Sequence, residues 1–467
     1  MTNEKVPKKV LAAVVATGLM SFSGVIVETA INIAFPTLMQ EFKVNTSTVQ
    51  WMTSSYLLII AVIVPFSASL KRSFSTRRLF LTAISCFIIG VVLDALAPNF
   101  SLLLLGRMIQ GIGTGIALPL MFNIIMEQVP KSKVGTMMGI ANLITGVAPA
   151  IGPTFGGLII SYLNWRWIFY ILLPILVGSL LLGLWGITQA GRLQAFELDP
   201  LSAISLALTF MALVWGFSNL ASGQLVSLNV LGSILFGLLS GTIFVKRSLQ
   251  MEDPLINVRL FKNKSFSALC IAFFGIQMTS LSLGFLLPNY AQLVNGSSAL
   301  TAGLLVLPAG VLGSIMAPLG GNLYDRYGAR IPIMVGISSM VLGVVLFNIL
   351  IADLENWELL VIYLFYMGGM GLDLANLMAN AQALLPQAQS AQGNAILNTI
   401  QQFAGSVGTS TASAIVGLSQ QQFGNKGAHS TTIGSQHAFY LLLVVMLIVW
   451  VLLAKFAGRT RKNNEAI

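Results

Sequence analysis

Long apolar runs separated by short polar breaks dominate the chain. VLAAVVATGLMSFSGVIV (10–27), TMMGIANLITGVAPAIGPTFGGLIISYLNW (136–165) and AFYLLLVVMLIVWVLLA (438–454) carry no charge at all. About 20 apolar residues suffice for a helix to cross the hydrocarbon core of a bilayer. Charge clusters and Pro/Gly punctuation divide the pattern into fourteen predicted helices. Their limits are about 10–36, 52–70, 79–97, 101–128, 135–162, 167–187, 200–220, 226–245, 265–291, 300–323, 330–352, 357–385, 395–418 and 437–457. The apolar pattern is weakest over the pair at 200–245 and over the polar stretch 386–420. The fold class predicted is an all-α polytopic membrane protein.

The breaks then orient the chain. With the N-terminus in the cytoplasm, 21 of the 25 Lys and Arg residues fall on cytoplasmic segments, leaving Lys43, Arg107, Arg166 and Lys426. Basic residues are retained on the cytoplasmic side of membrane proteins. The split supports an even helix count, with both termini cytoplasmic. The connections are too short for a large soluble domain; the longest are 246–264, which carries PLINVRLFKNKSF, and the polar 419–436. The N-terminal apolar run is too long, and lacks a small-residue cleavage site, for a signal peptide; it reads as an uncleaved first span.

Composition agrees: 56% of residues are hydrophobic and 9% charged. The net charge of +10 is explained by orientation, so nucleic acid is not an expected partner. Cys86 and Cys270 fall inside predicted spans, and two histidines cannot make a metal site, so no metal is expected. No Walker loop is present, which excludes ATP as the direct energy source, and no nucleophile–base pair suggests an enzyme.

Two loops echo each other. GGNLYDRYGAR (320–330) follows the tenth helix, and SASLKRSFSTRRLFL (67–81) follows the second. Each follows the second helix of a six-helix block, which suggests two homologous halves with two helices inserted between them. The expected units are 1–190, an N-terminal six-helix bundle; 191–250, the inserted pair; and 251–467, a C-terminal six-helix bundle with a cytoplasmic tail. GGNLYDRYGAR resembles the loop signature of the major facilitator superfamily through Gly321, Leu323, Asp325, Arg326, Gly328 and Arg330. The first-half copy departs from it, with Arg72 where Asp stands in the signature and Ala68 and Ser75 in place of glycines. RMIQGIGTG (107–115) resembles the superfamily's fourth-helix motif, and GVAPAIGPTFGG (146–157) its antiporter fifth-helix motif. WRWIFY (165–170), VQWMTSSYLL (49–58), LPNYAQLVNGSSALTAGLLVLP (287–308) and PLINVRLF (254–261) look like the same group. With fourteen spans, the chain is similar to the fourteen-helix drug:proton antiporters, and ETAINIAFP (28–36) to members linked to lincosamide and multidrug efflux.

Candidate chemistry lies in the polar residues within spans. The first helix is expected to end near Pro36, so Glu28 and Arg107 fall at similar distances from the outer ends of the first and fourth helices. Both helices border the central cavity in the superfamily. A carboxyl held between a neighbouring cation and apolar walls can load and release a proton; the alternative is a static Glu28–Arg107 pair that only fixes packing. Asn32 shares the Glu28 face. Asp373, mid-helix without a basic partner in its half, is either a second proton or cation site or a protonated packing residue. Asp94 and Glu127 lie near helix ends and are expected to reach water. Gly152, Pro153, Gly156 and Gly157 are expected to pack helices closely as a gate. Gly321 and Gly328 are expected to allow close approach and a tight turn, while Asp325, Arg326 and Arg330 form a cytoplasmic charge latch; a solvated turn is the alternative. Asn394, Asn398 and Gln401 make either a cavity wall or a hydrogen-bonded seam. Gln110, Gln277, Tyr366, Met370 and Phe403 are cavity candidates, with ordinary core packing the alternative.

The resemblance implies a proton-coupled antiporter that exports amphipathic drugs or other toxic small molecules across the cell membrane. It needs no cofactor beyond the proton gradient. Its partners are hydrophobic or cationic drugs, protons and lipid, and it is expected to act as a monomer. A metabolite exporter or symporter of the same fold, and a non-transporting receptor or scaffold, are the rival readings.

Overall fold

The computed structural model describes residues 6–130, 133–189, 199–222, 227–351, 354–386, 389–423 and 427–459. Lys131, Arg192, Lys426, Arg461, Lys462, the side chains of Ala68 and Arg72, Gly146 and the expected boundary at 190/191 lie outside the described residues.

Fourteen long helices follow one another. They are α1 (Lys8–Phe42), α2 (Thr46–Phe66), α3 (Thr76–Ala95), α4 (Phe100–Gln128), α5 (Val134–Tyr162), α6 (Trp167–Gly186), α7 (Pro200–Ser218), α8 (Leu228–Gln250), α9 (Lys264–Leu293), α10 (Ala299–Tyr327), α11 (Arg330–Leu350), α12 (Asn356–Ala383), α13 (Ser390–Gln422) and α14 (Ala428–Phe456). No strand occurs among the described residues. Twelve of the helices are long and apolar enough to span a membrane by themselves; α5 contributes a shorter apolar stretch, Val147–Tyr162. The other exception, α13, buries Ser406, Thr409, Ser410, Ser413 and Ser419. It is polar because it lies inside the bundle rather than against lipid.

Caps mark many of the helix ends. The side chains of Asn45, Ser75, Asn99, Asp199, Asn263 and Ser298 accept hydrogen bonds from backbone N–H groups in the first turns that follow. These satisfy donors that a helix start otherwise leaves unpaired. Pro36 does not end α1 as expected. The helix runs through it to Phe42 and stops at Lys43, whose φ of 54° is left-handed.

In the N-half, α1 lies along α4, α5 and α6, α3 pairs with α4 and α6, and α2 pairs with α4. In the C-half, α9 lies along α13 and α14, and α12 along α10 and α11. The α7–α8 hairpin sits on the α2/α13 seam: Trp215 meets Trp51 at 5.5 Å, and Phe210 stacks on Phe403 at 4.5 Å. Phe403 is thus a seam residue as well as a cavity candidate. Arg247 closes the hairpin on Asp199 at 2.9 Å. Its guanidinium holds the Asp199 carboxyl down at about 2. That contribution is whole above about pH 4 and fades as pH falls towards the lowered value.

The start of α1 and the end of α14 lie at one end of the bundle. There the backbone of Gly186 abuts Lys9 and Ala12, Gln128 reaches Thr188, and Arg330 reaches the Ala454 carbonyl. All cross-half hydrogen bonds among the described residues come from the middle and the opposite end, where the halves are closed on each other.

Candidate functional site

The closed end is built from small residues. On one side α5 meets both α1 and α10. A Cβ on Gly156 would come 2.5 Å from the Ala30 carbonyl, and one on Gly157 would come 2.5 Å from the Ala299 carbonyl. Gly152 faces Thr29 and the Ile26 carbonyl, and Gly303 abuts the backbone of Pro153. Thr154 donates to the Gly303 carbonyl at 3.0 Å. The glycines of 152–157 therefore carry close helix contacts, as their spacing suggested. On the other side hydroxyls dominate. Ser406 donates to the Ser54 carbonyl at 2.8 Å, Ser410 to Ser54 Oγ at 2.7 Å, and Thr46 to Gln420 Oε1 at 2.7 Å. Between them Gln292 donates to the Ile33 carbonyl at 3.2 Å. A depression of about 440 Å³ beyond this seal is walled by Pro36, Thr37, Gln40, Ser161 and Gln292, and Glu28 is not among its walls.

Beneath the seal lies a buried polar cluster in the N-half. Arg107 on α4 is fully buried. Its Nη1 donates to Gln110 Oε1 at 2.7 Å, and its Nε to the Met52 carbonyl at 3.1 Å. Gln110 Nε2 donates in turn to Asp94 Oδ2 at 2.6 Å. The guanidinium lies 4.1 Å over the Tyr56 ring, a cation–π contact. The Tyr56 hydroxyl donates to Thr114 Oγ1 at 2.8 Å and lies 3.0 Å from the Gly24 carbonyl. Thr53 donates to Asn32 Oδ1 at 2.7 Å. Glu28, 9% exposed, borders this group; it and Arg107 interact through space.

Two expectations are corrected here. No direct Glu28–Arg107 ion pair forms among the described residues. α1 continues past Pro36, so Glu28 lies roughly 21 Å from the C-terminal end of α1, whereas Arg107 lies roughly 10 Å from the start of α4. Tyr56, which touches both Gly24 and Arg107, keeps the two helices in register around one cluster. Arg107 Nη2 is left without a hydrogen bond. Asp94, expected to reach water, is 0% exposed. Its carboxylate occupies the space that Gly106 leaves by lacking a side chain. Sequence reasoning missed Asp94, Tyr56, Thr53 and Thr114; the signal available was a third buried acid four residues after a glycine, beside the RMIQG motif.

The C-half differs. Asp373 is 0% exposed and neither of its oxygens has a hydrogen-bond partner. It points at α11, where a Cβ on Gly336 would come 2.8 Å from its own Cβ. Tyr366 donates to the Ile276 carbonyl at 3.2 Å, and Ser280 lies 3.2 Å from the Met370 sulfur. Gln277 is buried with Nε2 unpaired. Asn398 and Gln401 are half-exposed; Asn398 bonds back to the Asn394 carbonyl within α13.

At the termini end, Gly328 supplies the tight turn, with φ of 77°. Gly321 does not mark a close approach, since a Cβ there would meet nothing within 4 Å. The expected latch is not made: Asp325 and Arg326 are exposed, and Asp325 has no ionic partner among the described residues. Arg330 instead reaches α14. In the first half Lys71 pairs with Glu127, which is exposed and reaches water as expected.

The model of the Major Facilitator Superfamily matches residues 17–409. The chain is 37% identical to the lincomycin resistance protein LmrB of Bacillus subtilis, over 94% of each chain. It is 30% identical to a multidrug resistance protein B homolog of Mycobacterium tuberculosis, over 83% of this chain and 73% of the relative. Its fold is similar to the crystal structure of the POT family transporter PepTSo, with a TM-score of 0.73, 12% identity and 99% of each chain covered. The long helices and the buried polar cluster thus sit on a scaffold shared with known transporters, and the chain belongs to the Major Facilitator Superfamily.

Proposed function

We propose that the protein is a proton-coupled antiporter that exports amphipathic drugs, lincosamides among them, from the cytoplasm. The observation that carries the reading is Glu28, a carboxylate without a hydrogen-bond partner among the described residues, held beside the buried Arg107 cluster just under the inter-half seal. An ionisable group at that depth is costly unless it faces a cavity and works. The similarity to drug-resistance transporters supports the substrate class, and it speaks for transport rather than enzymatic turnover.

With the termini in the cytoplasm, the closed end is external and this conformation faces inward. The open latch at Asp325 fits that state. Residues 1–190 and 251–467 rock as two bundles, with the hairpin of 191–250 riding on the α2/α13 seam, and Gly152, Pro153, Gly156 and Gly157 release or seal the outer end. Drug enters from the cytoplasm between the halves and meets Asn32, Gln277, Tyr366, Met370, Asn398 and Gln401. Protonation of Glu28 from outside and its release inside drive the cycle, with no cofactor. The protein works as a monomer in the cell membrane.

Proteoliposomes carrying a pH gradient test this. Lincomycin or ethidium should trigger proton flux through the wild type, and Glu28→Gln should abolish it while the protein still inserts and folds. Undiminished flux in that variant would sink the role of Glu28.

A further inference from the structure

The buried cluster holds two carboxylates but one cation. Glu28, Asp94 and Arg107 are 9%, 0% and 0% exposed. Around Glu28, α2 adds Tyr56 and α4 adds Arg107. Around Asp94, α4 adds Arg107, and α6 adds Tyr170, whose hydroxyl lies 3.3 Å from the Ala95 carbonyl. Arg166, just before α6, is spent on Glu41 at 2.8 Å and on the Ala97 carbonyl. A water-poor interior opposes uncompensated charge, so the cluster reaches neutrality by holding one proton.

We propose that Asp94 is a second proton-binding carboxylate of this cluster, sharing a single proton with Glu28. The inference rests on the proton-coupled reading above. Asp94 lies nearer the closed end, in the last turn of α3. Glu28 lies deeper. With the proton on Glu28, Asp94 is the anion that accepts from Gln110 through Oδ2, and Gln110 accepts from Arg107; Asp94 Oδ1 has no hydrogen-bond partner and is the atom that takes the proton in the exchange. When the proton moves to Asp94, Glu28 becomes the anion, and the unpaired Nη2 edge of Arg107 is free to receive it. The proton passes from one carboxylate to the other, no bond to carbon changes, and the total charge of the cluster stays zero. Gln110 is a positioning residue in this exchange.

Infrared difference spectroscopy of the full-length protein in lipid nanodiscs at neutral pH tests the sharing. The readout is the C=O band of a buried, protonated carboxyl, recorded in an Asp373→Asn background so that the C-half acid does not contribute. Either Asp94→Asn or Glu28→Gln alone should remove the whole band, because one anion then balances one cation. A band that survives Asp94→Asn overturns the proposal. Asp94→Asn keeps the oxygen that accepts from Gln110, and Asp94→Ser serves as a second charge-removing variant should the first fail to fold. Lincomycin-triggered proton release by the wild type is followed in parallel. Its absence overturns the export reading alone, while the band still decides on Asp94.

Discussion

The two halves contain the same helix seam with different side chains in it. In the N-half, α3 meets α4 where a Cβ on Gly90 would come 2.5 Å from the Gly106 carbonyl and 2.6 Å from Gln110 Cγ. In the C-half, α11 meets α12 where a Cβ on Gly336 would come 2.6 Å from the Gly369 carbonyl and 2.8 Å from Asp373 Cβ. Gly90 thus corresponds to Gly336, Gly106 to Gly369, and Gln110 to Asp373. Asp94, one turn after Gly90, corresponds to Met340, and Arg107, next to Gly106, to Met370. The backbone device is common to both halves; the charge is not. One copy holds a hydrogen-bonded acid, amide and guanidinium. The other holds two methionines and an acid with no partner. Close glycine packing therefore specifies the seam, and the residues beside the glycines specify what each half does with it.

Exchanging residues between the copies should break this contrast in graded steps. Arg107→Met gives the N-half the C-half's residue and strands two buried carboxylates without a cation. It should cost about 3 kcal/mol or more, seen as a lowered thermal midpoint in detergent, together with loss of transport. Gly90→Ala and Gly336→Ala both push a methyl group into backbone, so each should cost about 1–3 kcal/mol. Comparable losses would support the equivalence of the seams; a tolerated substitution at one of them would refute it. Asp373→Asn has no hydrogen bond to the acid to lose. It should change stability by no more than about 1 kcal/mol, and its effect, if any, should appear in the apparent affinity for cationic drugs such as ethidium.

Much of this was legible in the sequence. All fourteen helices were, because apolar length and flanking charge are local properties. So was the gathering of Glu28, Arg107, Asn32 and Gln110 in one region, and the close packing at Gly152, Gly156 and Gly157. What failed depended on three-dimensional context. Pro36 looks like a helix end, but a proline inside a packed membrane helix need not break it. That misreading shortens α1 by six residues. The alternative of a static Glu28–Arg107 pair is not formed among the described residues, although the two groups share one region of the bundle. Asp94 looks solvated because it ends its helix, yet the neighbouring helices and the space at Gly106 cover it. Gly321 matches a motif whose close approach this conformation does not make.

The hydroxyl seam between α2 and α13 bears on how fast the molecule can cycle. Ser54, Ser406, Thr409 and Ser410 close it with each other and with one backbone carbonyl. When such a seam parts, each group exchanges a protein partner for water, a trade worth only about 0.5–1.5 kcal/mol per bond. A seam of leucines would instead expose oily surface and resist opening in proportion to its area. The hydroxyl part of this seam therefore adds little to the cost of opening, and most of that cost falls on the apolar contacts beside it, where Leu58 and Val407 share one buried cluster.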